Sequence, residues 1–176
     1  MTGSTAFMPS KLKTFFLFIL LAIGLTACSG ESFHLRGSVA LPEVYQLIYL
    51  QGNSADSPFE KVLQKKLAEV GSKLVTDPEK ATAILQLDNY QEGKRVAAYG
   101  SNREVREYLI YLRFDFTTKL TSNNRVLIPI SKINLDKIQI YDSAFVLGKI
   151  EEERLIKEDL RENAARQVLL RLQYGK

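Results

Sequence analysis

The chain has 176 residues, a single cysteine, a single histidine, and 24 basic against 20 acidic residues for a net charge of +4. One cysteine excludes an internal disulfide framework, and one histidine excludes a multi-histidine metal site. The charge is too small to argue for nucleic acid, because Lys11 and Lys13 contribute to it from a leader that the mature protein is expected to lose.

That leader comes first along the chain. Behind the two lysines runs an uncharged, mostly apolar stretch from Thr14 to Ala27. A spanning helix needs roughly 20 apolar residues, and this run falls short of that. A basic start, a short apolar run and small residues before a cleavage point make a secretory signal instead. Leu25-Thr26-Ala27-Cys28 resembles the lipobox of bacterial lipoproteins. The resemblance implies cleavage after residue 27, a thioether link from Cys28 to diacylglycerol, and acylation of the new amine. Ser29, rather than an aspartate, implies sorting to the outer membrane. Acyl chains in that number exceed the two signals that stable anchoring requires.

Residues 28–43 have few apolar positions and read as a tether, so the folded domain is expected over 44–176. Val44 to Leu50 reads as a short, largely buried strand. Ser57 is a good N-cap, Pro58 suits the first helical position, and Glu60 completes a capping box. Phe59, Val62, Leu63, Leu67 and Val70 then make one helical stripe, and Gly71 stops it.

A meander follows. Ala83, Leu85 and Leu87 share a strand face, and the strand continues toward Tyr99 before Gly100-Ser101-Asn102 turns the chain. From Glu104 to Leu120 the sequence alternates, with Tyr108, Ile110, Leu112, Phe114 and Phe116 on one face. The last strand is expected over Ile130 to Asp142. Ile133 and Leu135 are odd while Ile138 and Ile140 are even, which predicts a bulge near Asp136–Lys137. A long helix from about Gly148 to Tyr174 carries the stripe Ile156, Leu160, Ala164, Val168 and Leu172. The order β-α-β-β-β-α predicts an α+β domain, a four-stranded mixed sheet with two helices packed on one face. The helical crossover makes the first two strands parallel if they share that sheet.

Little in the chain carries chemistry. His34 sits in the tether, no Gly-x-Gly or Gly-x-Ser-x-Gly is present, and Glu151-Glu152-Glu153 suits the early part of a helix as a solvated face. No catalytic residue, metal ligand or cofactor site is expected. A hydrolase working through carboxylates alone stays open, since carboxylate pairs need no motif. The sheet face away from the helices carries Leu109 and Tyr111 among Glu107, Arg113 and Asp115. This is either ordinary surface or a protein contact, where tyrosine and arginine are favoured.

Taken together, Cys28, the segment Phe33-His34-Leu35-Arg36-Gly37, the capped helix, Arg106-Glu107-Tyr108 and the final helix LIKEDLRENAARQVLLRL resemble the LptE family of lipopolysaccharide-assembly lipoproteins, also called rare lipoprotein B. Four residues separate Cys28 from Phe33 where the family has about one, so the tether here is longer. The resemblance implies a non-enzymatic protein that sits as a plug inside the large β-barrel LptD. It would assist barrel assembly and bind lipopolysaccharide bound for the outer leaflet. Leu109 and Tyr111 would then be barrel contacts. An anchored periplasmic module with another partner is the alternative. Topology brings the turn at Arg103 and the entry to the last helix at Lys149 to one end of the sheet. Arg103 and Lys149 are therefore the expected lipid A phosphate contacts, with Arg95 and Arg106 secondary and Lys94 nearby.

Overall fold

A computed structural model describes residues 41–52, 57–142 and 145–175. The expected signal peptide, Cys28 and His34 lie outside the described residues. The elements are β1 (Leu47–Gly52), α1 (Pro58–Glu69), β2 (Lys73–Val75), β3 (Ala83–Tyr99), β4 (Val105–Leu120), β5 (Val126–Ile140) and α2 (Val146–Tyr174). They form one mixed sheet in the order β2-β1-β3-β4-β5. β1 runs parallel to both β2 and β3, as the helical crossover requires, while β3, β4 and β5 are antiparallel.

The sheet thus has five strands where four were expected. The extra strand, β2, is only Lys-Leu-Val, too short to show a two-residue period. Its place is fixed by the chain leaving α1 rather than by its own pattern. Gly71, at φ +83°, turns the chain, and Lys73 N–H then donates to Gln46 O at 2.9 Å. The first strand also begins later than expected. Val44 falls within a single 3-10 turn, Glu43–Tyr45, and Tyr45 is buried with its hydroxyl 3.2 Å from Thr118 Oγ1. Leu41, in the segment read as tether, packs against the core.

The cap of α1 is as the sequence implies. Ser57 Oγ accepts from Glu60 N–H at 3.1 Å, and Phe59, Leu63 and Leu67 are fully buried. They meet Ile110, Leu112, Phe114 and Phe116 of β4 and the α2 stripe Ile156, Leu160, Ala164, Val168 and Leu172 in one core. Both helices therefore cover the same face of the sheet.

The bulge expected at Asp136–Lys137 is absent. The β4–β5 ladder runs without interruption from Phe116↔Ser131 to Glu107↔Ile140. The register shift in β5 lies between Ile128 and Ser131 instead, across Pro129, which has no N–H to give the ladder. It moves the inward position from even (Ile128) to odd (Ile133), both of them buried. A second shift in β3, between Asp88 and Gln91, spans Asn89 at φ +55°. It turns Glu92 and Lys94 to the helix side, in register with Leu112 and Ile110. Ile138 and Ile140 are consequently apolar residues on the outer face, and Gln139 between them is the inward one.

Candidate functional site

Among the described residues, two surfaces are left over once the core is built: the outer face of the sheet, on which neither described helix packs, and the end where β3, β5 and α2 meet. On the outer face, Leu109 sits in a rung between Arg95 and Ile138. Tyr111 occupies the next rung, between Gly93 and Asp136. Both side chains are half-buried. The Tyr111 ring lies against Gly93 so closely that a Cβ there would meet its hydroxyl at 2.8 Å. The Arg113 guanidinium stands over the same ring, 5.1 Å from its centroid. Arg113 Nε is buried with no hydrogen-bond partner among the described residues, and so is Thr117 Oγ1 further along the face. The result is a polar–aromatic surface.

At the end of the sheet, the turn after β3 and the start of α2 do lie together. Glu107 pairs with Ile140, Tyr141 N–H donates to Arg106 O at 2.8 Å, and Gln139 Nε2 donates to Lys149 O at 2.7 Å. The expected basic residues do not form one patch, however. Arg95 shares the outer face with Leu109, whereas strand alternation puts Arg106 on the side of Tyr108. Arg103 holds the turn at φ +64°, exposed, with its N–H donating to Gly100 O. The two lysines are engaged: Lys149 Nζ is 2.8 Å from Glu152, and Lys94 Nζ bonds Glu153 while standing 4.4 Å over the Tyr108 ring. The Lys149 hydrogen bond holds the Glu152 carboxyl below its ordinary value; Lys157, then Lys94, do the same for Glu153. Arg95, Arg103 and Arg106 make no ion pair among the described residues.

Two features escaped the sequence reading. Between the sheet and α2, Arg161 grips Glu92 through Nε, at 2.9 Å, and through Nη2, and Tyr90 donates its hydroxyl to the same carboxylate at 2.9 Å. Burial, then the Glu92 carboxylate, push the Tyr90 hydroxyl well above its ordinary pKa. The sequence shows no sign of such a pairing across 69 positions. The second is the apolar start of α2, Val146, Leu147 and Ile150, which stays exposed with Phe145 before it. The run Phe145-Val146-Leu147 is visible in the sequence, but it lies before the helix start expected at about Gly148, whereas α2 begins at Val146.

Among the described residues no group of His, Cys, Asp and Glu could hold a metal ion. None of the helices described is long and apolar enough to cross a membrane. The fold and its two free surfaces define a small α+β domain equipped for contact.

The LptE family model, described as lipopolysaccharide-assembly, matches residues 45–172, which takes in every strand, α1 and all but the last two residues of α2, and the chain belongs to that family. It is 24% identical over 162 residues to the LPS-assembly lipoprotein LptE of Yersinia enterocolitica, covering 89% of this chain and 74% of that protein. It is likewise 24% identical over 166 residues to the LPS-assembly lipoprotein LptE of Pectobacterium atrosepticum, covering 91% and 85%. Among solved structures it is similar to lipoprotein B of Nitrosomonas europaea, with TM-score 0.67 and 26% identity over 80% of this chain and 90% of that one. A minor lipoprotein of Acinetobacter baumannii shares the fold, with TM-score 0.61 and 19% identity over 76% and 95%. Membership supports a role in lipopolysaccharide assembly as a membrane-associated lipoprotein.

Proposed function

We propose that this protein is the outer-membrane lipoprotein subunit of a lipopolysaccharide translocon. Residues 1–27 are its cleaved signal peptide, and it is held at the periplasmic side of the outer membrane by acyl chains on Cys28. It partners the β-barrel LptD one to one as a plug, assists assembly of the barrel, and binds lipopolysaccharide on its way to the outer leaflet. The family match over the whole folded domain carries this reading. The outer sheet face supports it, because a barrel lumen is polar and a plug must satisfy it. Leu109 and Tyr111, with the Arg113 guanidinium over the tyrosine ring, offer a polar–aromatic surface to such a wall. No step of this role is catalytic, and none uses a cofactor.

Lipopolysaccharide phosphates would be met at the end of the sheet. Arg103 is exposed and makes no ion pair among the described residues, Arg95 and Arg106 flank it on opposite faces, and Lys149 joins them on leaving Glu152. Reversing the charge of Arg103 and Lys149 together is expected to weaken lipopolysaccharide binding at low salt while the barrel complex still assembles. Exposed charges are least screened under those conditions. Unchanged binding there would reject the site.

A further inference from the structure

Beside Tyr111, the outer face of the sheet holds a hollow of about 240 Å³ whose polar lining is Asn89, Gln91, Arg113, Asp115, Lys132 and Asn134. Strand register assembles it. Gln91, Arg113 and Asn134 stand side by side across β3, β4 and β5, and Asp115 and Lys132 form the next rung. The shift in β3 brings Asn89 to that rung, where its Nδ2 donates to Asp115 Oδ2 at 2.9 Å.

The hollow has more donors than acceptors. The side chains of Gln91, Arg113, Lys132 and Asn134 make no hydrogen bond or ion pair among the described residues. Arg113 Nε is the only one of its nitrogens that is buried without a partner, so the Nη groups stay accessible. Two cations, Arg113 and Lys132, against one carboxylate, Asp115, leave the lining at 2 − 1 = +1. The guanidinium is also held in place before anything binds. Gly93 lacks the Cβ that would meet the Tyr111 hydroxyl at 2.8 Å, the ring lies across it, and Arg113 stands over that ring. An arginine fixed by a cation–π contact loses less rotamer freedom on binding.

Size and charge together select the occupant. Small-molecule sites run from about 300 to 1,000 Å³, and this hollow is smaller. It has room for about eight waters at ~30 Å³ each, which is the scale of one inserted side chain. A phosphate carries about −1.5 to −2 charges at pH 7 and would be set against Asp115. A carboxylate carries one, equal and opposite to the lining, and its two oxygens match the planar guanidinium fork. A tyrosine-backed arginine is also the composition of a contact hot spot between proteins.

We infer that this hollow receives one acidic side chain, an aspartate or glutamate, projected by the protein that covers the outer face. Its carboxylate accepts from the Arg113 Nη groups and lies beside Lys132. That the covering protein is the barrel rests on the translocon reading; the acid does not.

A water-soluble carbodiimide joins an amine to a carboxylate without a spacer, and Lys132 supplies an amine in the hollow. The complex is purified in mild detergent, treated with the reagent, and its Lys132 peptides are read by mass spectrometry. Lys132 is expected to couple to an aspartate or glutamate of the partner. Arg113→Lys adds a second amine, which is expected to couple to the same acid. Arg113→Glu is expected to lower the recovered complex several-fold, and Arg166→Glu, exposed on α2, to leave it near wild type. An intact complex in which Lys132 couples to no partner acid overturns the inference, as does equal loss from both reversals. Arg113→Glu that weakens lipopolysaccharide binding at unchanged complex yield also overturns it, and assigns the hollow to a lipid headgroup. A barrel complex without the cross-link rejects the acid and keeps the translocon reading. A cross-link to an acid of a partner that is not a barrel does the reverse, and a chain recovered alone contradicts both.

Discussion

The clamp between Glu92 and Arg161 is the most informative place to perturb the fold, because it fastens the middle of α2 to the middle of β3. Arg161→Met removes the guanidinium but keeps much of the stem's packing. It leaves the Glu92 carboxylate, with its side chain 14% exposed, facing only the Tyr90 hydroxyl. Removing one partner of a fully buried ion pair costs about 3–5 kcal/mol, and exposed pairs are worth about 0–1 kcal/mol. Arg161 retains 20% exposure, so the pair is mostly but not fully shielded, and a loss of about 2–3 kcal/mol is expected. Equilibrium urea unfolding measures this as a lower midpoint at unchanged slope. The double variant Glu92→Gln with Arg161→Met is expected to recover part of the loss, because no charge is then stranded. A single-variant cost under about 0.5 kcal/mol would show the clamp to be a solvent-screened surface pair and refute the reasoning.

Other perturbations follow from the same geometry. Ser57→Ala removes the bond to Glu60 N–H and is expected to cost about 1 kcal/mol in the same unfolding assay, whereas His34→Ala should leave stability unchanged. Glu153 has a folded pKa depressed chiefly by Lys157 and then by Lys94, so its contribution is present above the ordinary glutamate value, about 4.3, and is lost as pH falls through the lower folded value. Stability should therefore drop less steeply below that pH in Lys157→Met than in the wild type, as read by urea midpoints across the acid range. Cys28→Ala is expected to give a folded but unacylated domain. Mass spectrometry of the wild type showing an intact Met1 or an unmodified Cys28 would contradict the lipoprotein reading.

Most of the fold was legible where a period or a cap spelled it out. The alternation from Tyr108 to Phe116 fixed which face of β4 is buried, Ser57 and Pro58 fixed where α1 begins, and the five-residue stripe of α2 matches its buried side. β2 was not legible because three residues hold no periodicity and its pairing comes from position alone. The parity change along the last strand was visible, but its meaning was not. The ladder adjusts at Pro129, and Ile138 and Ile140 are simply outward-facing apolars. The surface sites were harder still. Topology rightly joined Arg103 and Lys149 to one end, yet face alternation separates Arg95 from Arg106, and local carboxylates engage Lys94 and Lys149. Those are side-chain relations across 59 positions for Lys94 and Glu153, which no local pattern encodes.

The central claim is that this domain works as one half of a two-protein assembly. Purifying the protein from its native membrane in mild detergent tests that most directly. A large β-barrel recovered in one-to-one stoichiometry is the predicted result, with Tyr111→Ala reducing the yield of the complex. A lone monomer, or a stoichiometric partner that is not a barrel, would contradict the account.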